Sequence, residues 1–252
     1  MDARLTYLLI DIGSILVPLI YSFHPKLNFY RTWNRFWPAN LLTVAVFISW
    51  DSWFTERGVW GFDARYVSGI EVASLPLEEW FFFVAIPYAS VFTYAALGQL
   101  MKRELSGNVV RVITIGLVLS LACVGIVNRD RAYTGLTFLA LSLFLMVHQL
   151  LQSNFLGRFY VAYAVILIPF FIVNGLLTGT GIDGEVVWYN NLENLGVRIG
   201  TIPLEDIFYG MLLILLNVTL YEWFKPLQER FLLPARLRPG VDQHIPSGDK
   251  VG

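Results

Sequence analysis

Pro76-Leu77-Glu78-Glu79-Trp80-Phe81-Phe82 returns in the second half of the chain as Pro203-Leu204-Glu205-Asp206-Ile207-Phe208-Tyr209, at an offset of 127. In each copy a proline is followed, one residue on, by two acids and then by aromatic residues at the head of a long apolar run. Tyr94 and Tyr221 keep the offset at the far end of those runs, and Asn28-Phe29 repeats as Asn154-Phe155 at an offset of 126. The chain therefore reads as two related halves.

The solvent of each half follows from composition. Of 252 residues, 56% are hydrophobic and only 15% charged, and the mean hydropathy is +0.59. A water-soluble domain needs more charge to cover its surface, so the excess apolar residues face lipid. The net charge of −1 gives no reason to expect a nucleic-acid partner. Cys123, the one cysteine, cannot form an internal disulfide. The first apolar run contains Asp11 and is followed by no small-residue cleavage site, so it reads as a retained helix.

A membrane helix needs about 20 mostly apolar residues. Candidates are Leu5–Phe23, Pro38–Trp53, Pro76–Leu97, Val109–Val127, Thr134–Leu151, Phe159–Leu177 and Pro203–Phe224. Unpaired backbone groups are too costly in lipid for any form but the helix, and porin-like alternation is absent. The expected fold is all-α, with about seven transmembrane helices in two parallel three-helix repeats joined by a linking helix. The divisions are a first half at 1–104, a linking helix at 105–130, a second half at 131–225 and a polar, disordered tail at 226–252. One linking helix starts both halves from the same side, so both acidic pairs belong at one membrane face. The 18 basic residues split 12 to 6 between the two sides, which puts the C-terminus in the cytoplasm.

Glu78-Glu79 and Glu205-Asp206 stand at helix starts. With Leu75 and Ile202 as N-caps, Glu78 and Glu205 fall at the third helical position, facing free N–H groups and the positive dipole end. Capping alone would account for one such pair. Recurrence with the proline and the aromatics points further, because ionisable groups beside a membrane core are costly and face interior cavities. Adjacent carboxyls repel, and one that keeps its proton can protonate an alkene while aromatic faces stabilise the cation. Successive helical residues point about 100° apart, so one member of each pair should face a substrate. Trp80, Phe81, Phe82, Phe208 and Tyr209 are the candidate aromatic contacts. Asp51 and Asn174 hold comparable places ahead of Pro76 and Pro203 and join them as polar contacts or partners of the acids. His148 and Glu222 sit near helix ends, where they are expected to meet the interface, and Asp11 suits either role.

Other chemistries lack their residues. Gly179-Thr180-Gly181-Ile182-Asp183-Gly184 matches GxGxxG by chance, in a loop with no βαβ context. No span contains a lysine for a retinal Schiff base, no aspartate-rich motif suits diphosphate ionisation, and no His/Cys cluster suggests a metal. Asn217-Val218-Thr219 is a glycosylation sequon inside a span, hence inaccessible. A three-plus-one-plus-three transporter shares the architecture, but its polar residues would lie at the midplane rather than at one face. A scaffold that binds an apolar ligand without changing it is the third reading.

Two longer stretches carry a resemblance. Ser49-Trp50-Asp51, Gly58-Val59-Trp60-Gly61-Phe62, Arg65-Tyr66-Val67-Ser68-Gly69 and Leu75 to Trp80 resemble the first half of the heterodimer-type lycopene cyclases. Val187-Trp188-Tyr189-Asn190-Asn191, Glu193-Asn194, Ile202 to Asp206 and Asn217 to Glu222 resemble the second half, here fused into one chain over roughly residues 4–224. The resemblance implies cyclisation of the linear C40 carotene lycopene without net redox change. An acid protonates C2 of an end group, the C5=C6 bond attacks the cation at C1, and a base removes the C6 proton to leave a β-ring. The products are then γ-carotene and β-carotene. It also implies that Glu78, Glu79, Glu205 and Asp206 are catalytic, that no cofactor is needed, and that lycopene or a related linear carotenoid and membrane lipid are the partners. Contact with other carotenoid enzymes or a second copy, in a bacterial or archaeal cytoplasmic membrane, completes the expectation. Relatives that act on C50 carotenoids or make ε- or γ-rings leave ring type less constrained than reaction class.

Overall fold

The computed structural model of the chain describes residues 3–101 and 105–225. Among these residues seven long helices follow in order: α1 (Thr6–Tyr21), α2 (Trp33–Glu56), α3 (Leu77–Leu100), α4 (Gly107–Val127), α5 (Ala132–Leu150), α6 (Leu156–Leu177) and α7 (Leu204–Trp223). The tail expected at 226–252 lies outside the described residues, as do Lys102 and Arg103.

Among the described residues, six helices are long and apolar enough to cross a membrane. The other, α2, has 24 residues but carries Asn34, Arg35, Asn40 and Asp51. It begins at Trp33, ahead of the expected Pro38, and keeps that proline inside it. Polarity is turned inward: Asp11, Asn40, Thr43, Asp51 and Asn217 are buried, while Val112, Leu119, Ile126 and Val127 of α4 are exposed. That is the distribution of a bundle whose solvent is lipid, because unpaired polar groups are costlier there than apolar ones. The most apolar stretch of α7 is 56% buried and that of α1 only 11%, so α7 forms the centre and α1 the rim.

The halves interlock. α1 packs on α3 and α5 on α7, and across the halves α2 packs on α7 and α3 on α6. α4 runs along α5, where Gly125 lets the backbones approach: a Cβ there would lie 2.9 Å from Leu139 Cγ. At one end of the bundle the crossing is reciprocal. The Arg35 guanidinium lies 4.0 Å from the centre of the Tyr221 ring, and that of Arg158 lies 5.0 Å from that of Tyr94.

The other end holds, among the described residues, six short strands that are too brief to show a period-2 pattern in sequence. β1 (Trp60–Phe62) pairs antiparallel with β4 (Val187–Tyr189), Trp60 opposite Tyr189. Hairpins β2 (Glu71–Val72) with β3 (Leu75–Pro76), and β5 (Arg198–Ile199) with β6 (Ile202–Pro203), precede α3 and α7. The strands obey the repeat: β4, β5 and β6 stand at the motif's own offset from β1, β2 and β3. The β1–β4 pairing holds the last turns of α2 and α6, and so the starts of α3 and α7, at one end of the bundle, where both acidic pairs lie.

The helix starts differ from expectation by one position. Pro76 and Pro203, rather than Leu75 and Ile202, are the N-caps, with extended ψ of 148° and 141°. The reason is the hairpins: Leu75-Pro76 and Ile202-Pro203 are strand residues, and Leu77 N and Leu204 N still donate at 2.9 Å to Ile70 O and Val197 O. Glu78 and Glu205 thus occupy the second helical position, Glu79 and Asp206 the third. His148 is also corrected. It is buried in the bundle, with Nδ1 2.8 Å from Ser153 Oγ and Nε2 3.0 Å from Thr219 Oγ1, not at an interface. Glu222 is half-buried and accepts from Tyr94 Oη at 2.7 Å.

Candidate active site

Consecutive residues on a helix cannot face the same way, and the two members of each acidic pair separate accordingly. Glu78 and Glu205 turn toward the loop before their own hairpin. Glu78 Oε1 accepts from Ser68 N at 2.8 Å. Glu205 Oε1 accepts from Leu195 N at 2.7 Å and from Thr134 Oγ1 at 2.5 Å. Ser68 and Leu195 are themselves equivalent positions of the repeat. The expected capping of their own helix is thus replaced by a charge-assisted tie to an upstream loop N–H.

Glu79 and Asp206 turn inward, to a cavity of about 130 Å³ whose wall combines both halves. Tyr7 Oη donates to Glu79 Oε2. Tyr133 Oη donates to Asp206 Oδ1 at 2.6 Å, and Tyr189 Oη to Asp206 Oδ2 at 3.0 Å. Asp51 also lines the cavity and accepts from Trp60 Nε1. Asp51 Oδ2 is buried with no hydrogen-bond partner among the described residues, an environment that favours a neutral carboxyl group over an ionised one. Burial first, then the neighbouring Asp206 carboxyl, push the Tyr189 hydroxyl well above its ordinary pKa, so it stays a protonated donor.

The remaining wall is aromatic. Tyr209 sits at its centre, its ring centroid 5.8 Å from that of Trp60 and 6.0 Å from that of Tyr133, both edge-on. Tyr133 stacks on Tyr189 at 6.0 Å. Such a wall presents electron-rich π faces to whatever occupies the space. The cavity adjoins a groove of about 680 Å³ between α1, α3 and α6, sharing Ser14, Ser90, Pro169 and Val173 with it. The groove is apolar, and its Leu9, Val17 and Ile172 are exposed on the lipid side of the bundle.

Of the residues singled out in the sequence, Glu79, Asp206, Asp51, Asn174, Phe82 and Tyr209 line this cavity. The others stand apart. Trp80 Nε1 donates to Val72 O at 3.1 Å and braces the hairpin, and Phe208 packs edge-on against Phe138 at 4.9 Å. Phe81 is half-buried outside the cavity wall. Sequence reading missed Tyr7, Tyr133 and Tyr189 as acid partners and Trp60 and Phe62 as wall. A signal was there, because Tyr7 and Tyr133 share the offset that relates Asn28 to Asn154. Asp11 is buried with neither carboxyl oxygen partnered among the described residues. No group of His, Cys, Asp and Glu suited to a metal occurs among those residues.

The family model described as lycopene cyclase matches residues 4–97 and 130–224. Each matched segment holds three helices, and the interval between them holds α4. A protein of Pyrenophora tritici-repentis (strain Pt-1C-BFP) named bifunctional lycopene cyclase/phytoene synthase is 29% identical over 89 residues, which are 34% of this chain and 14% of that protein. The match thus spans about a seventh of that relative's length. No solved structure matches the chain.

Proposed function

The chain belongs to the lycopene cyclase family, and from that premise we propose that it is a membrane enzyme that closes the end groups of lycopene into β-rings by internal proton transfer. The supporting observation is that Glu79 and Asp206, one from each half, face a single apolar cavity and each accept from tyrosine hydroxyls. An end group held there has a carboxyl group on either side and π faces around it. The rest of the polyene, too long for the cavity, lies in the adjoining groove and reaches it from the lipid.

In this reading one carboxyl group protonates C2, the C5=C6 electrons close the C1–C6 bond, and another carboxyl group removes the C6 proton. Trp60, Tyr133 and Tyr209 stabilise the cation between these steps by their quadrupoles. Isomerisation of this kind leaves oxidation state unchanged. Glu78 and Glu205 serve by holding the loops that carry the cavity wall. The 12 to 6 split of basic residues supports a cytoplasmic C-terminus.

Expression in lycopene-accumulating cells tests the proposal. Chromatography should show lycopene replaced by monocyclic and then bicyclic β-ring carotenes, in proportion to protein in the membrane. Unchanged lycopene at full expression refutes it.

A further inference from the structure

The repeat lets each half be compared with the other, position by position. At offsets of 126 and 127, Tyr7 corresponds to Tyr133 and Phe62 to Tyr189. The stacked pair Tyr7–Phe62 at 6.4 Å repeats as Tyr133–Tyr189 at 6.0 Å. Along α2 and α6 the register is 123, set by Arg35 and Arg158 over the opposite tyrosines, so Asp51 corresponds to Asn174. The first half thus brings two carboxyl groups and one phenol to the cavity. The second brings one carboxyl group, one carboxamide and three phenols.

Resting on the cyclase reading, we propose that the halves have divided the roles: the Asp51–Glu79 pair is the proton donor, and Asp206, held by Tyr133 and Tyr189, is the base. Asp51 and Glu79 are both buried on one wall of the cavity, and two carboxyl groups so placed do not both ionise, so the pair keeps a proton. Glu79 Oε2 is occupied by Tyr7 Oη and Asp51 Oδ1 by Trp60 Nε1, while Asp51 Oδ2 is buried without a partner among the described residues, so the pair's proton is the one available to an alkene. Asp206 has the opposite arrangement. Both its oxygens accept O–H donors, at 2.6 and 3.0 Å, which favours the ionised carboxylate and leaves a lone pair on each oxygen to take a proton. Asp51 becomes a catalytic residue rather than a support.

The balance closes over one cycle. The pair gives its proton to C2, the C5=C6 electrons form the C1–C6 bond, and the cation moves to C5. Asp206 takes the C6 proton, and that C–H pair becomes the new C5=C6 bond. The proton then returns from Asp206 to the pair. Tyr209 is placed for the return, its ring beside those of Trp60 and Tyr133 and its hydroxyl buried without a protein partner among the described residues.

Ring type separates donor from base. Without its base, the C5 cation loses a proton from C4 or from the C5 methyl instead, giving ε- or γ-rings. If closure fails, it reverts to lycopene. The assay supplies lycopene to membranes in deuterated buffer, with variant protein matched to wild type by quantity and by elution after detergent extraction. Asp51→Asn and Glu79→Gln should slow conversion about 10²-fold or more, leave the residual product as β-rings, and leave recovered lycopene unlabelled. Asp206→Asn should yield ε- or γ-rings, or recovered lycopene carrying deuterium. Tyr189→Phe, which gives the second half the first half's residue, should shift ring type in the same direction. Residual product from Asp206→Asn that is wholly β-ring, with unlabelled lycopene, overturns the assignment, as does a ring-type shift in Asp51→Asn or Glu79→Gln. A wild-type protein that leaves lycopene untouched refutes the cyclase reading itself, and the assignment falls with it.

Discussion

Glu78→Gln and Glu79→Gln exchange the same group at adjacent positions, and the structure gives them different fates. Glu79 lines the cavity beside Asp51 and accepts from Tyr7. Its amide can neither give nor take the reacting proton, and lost general acid–base catalysis costs about 10²–10⁴ in rate. At about 1.36 kcal/mol per decade that is about 3–5 kcal/mol on the barrier. Glu78 lies outside the cavity and accepts one loop N–H, from Ser68 at 2.8 Å. A glutamine carbonyl still accepts it and gives up only the assistance of charge, about 1 kcal/mol of stability. Glu78→Ala removes the bond altogether and should cost about 2–3 kcal/mol. Initial rates of lycopene loss in membranes of equal protein content, with unfolding midpoints in detergent, separate the two. Glu79→Gln should lose rate at nearly unchanged midpoint, and Glu78→Gln should lose little of either. A Glu78→Gln protein as slow as Glu79→Gln at wild-type midpoint would refute the division between loop tie and catalytic acid.

The groove, the hairpin turn and a loop ion pair carry further predictions. A Cβ at Gly13 meets nothing within 4 Å, and the residue lines the groove. Gly13→Phe should therefore obstruct the polyene and raise KM about tenfold or more at unchanged unfolding midpoint. Ala73 and Ser74 form the turn between β2 and β3 with φ of 53° and 62°, a conformation costly to residues with a Cβ. Ala73→Gly should stabilise the protein by about 1 kcal/mol, read as a raised midpoint. In the loop after β1, hydrogen bonds from Arg65 hold the Asp63 carboxyl below the usual range. The lowered folded value makes the contribution present above the ordinary aspartate pKa of about 4 and lost as pH falls through the folded one. Solvent screens the pair, so the midpoint gap between wild type and Asp63→Asn should be small at neutral pH and close in acid.

The helices are legible because lipid imposes a length and a composition on them, and the repeat because Pro-x-acid-acid recurs with aromatics behind it. α2 reads short because Asn34 and Arg35 at its start look like a boundary, although Arg35 reaches across to Tyr221 of the other half. The strands are not legible. Two or three residues carry no period, and β1 pairs with a segment from the other half of the chain. The split within each acidic pair follows from helical geometry alone, but not which member faces inward. That depends on the hairpin, which advances the helix start by one residue and rotates the pair. Trp80 and Phe208 are drawn into the candidate site by adjacency to the acids, and the same rotation carries them out of it. The tyrosines lie hidden for the opposite reason, since Tyr7 and Tyr133 stand far in sequence from the carboxyl groups they serve.

A duplicated chain acting on a substrate with two like ends invites the reading of one site per half. The packing argues otherwise. α2 lies on α7 and α3 on α6, and β1 pairs with β4, so the inward carboxyl of each half reaches the same space. Two sites would need an acid and a base apiece. The second half offers the cavity one carboxyl group, Asp206, because Glu205 is committed to Leu195 N and Thr134 Oγ1. What the halves keep alike is mechanical: the loop ties of Glu78 and Glu205, the hairpins, and the crossed arginine–tyrosine pairs. Among the positions that differ, Asp51 against Asn174 and Phe62 against Tyr189 face the cavity. Unlike groups brought to one shared wall by two like scaffolds are the pattern of two copies sharing one reaction, and a two-ended polyene must then withdraw into the groove and present its other end.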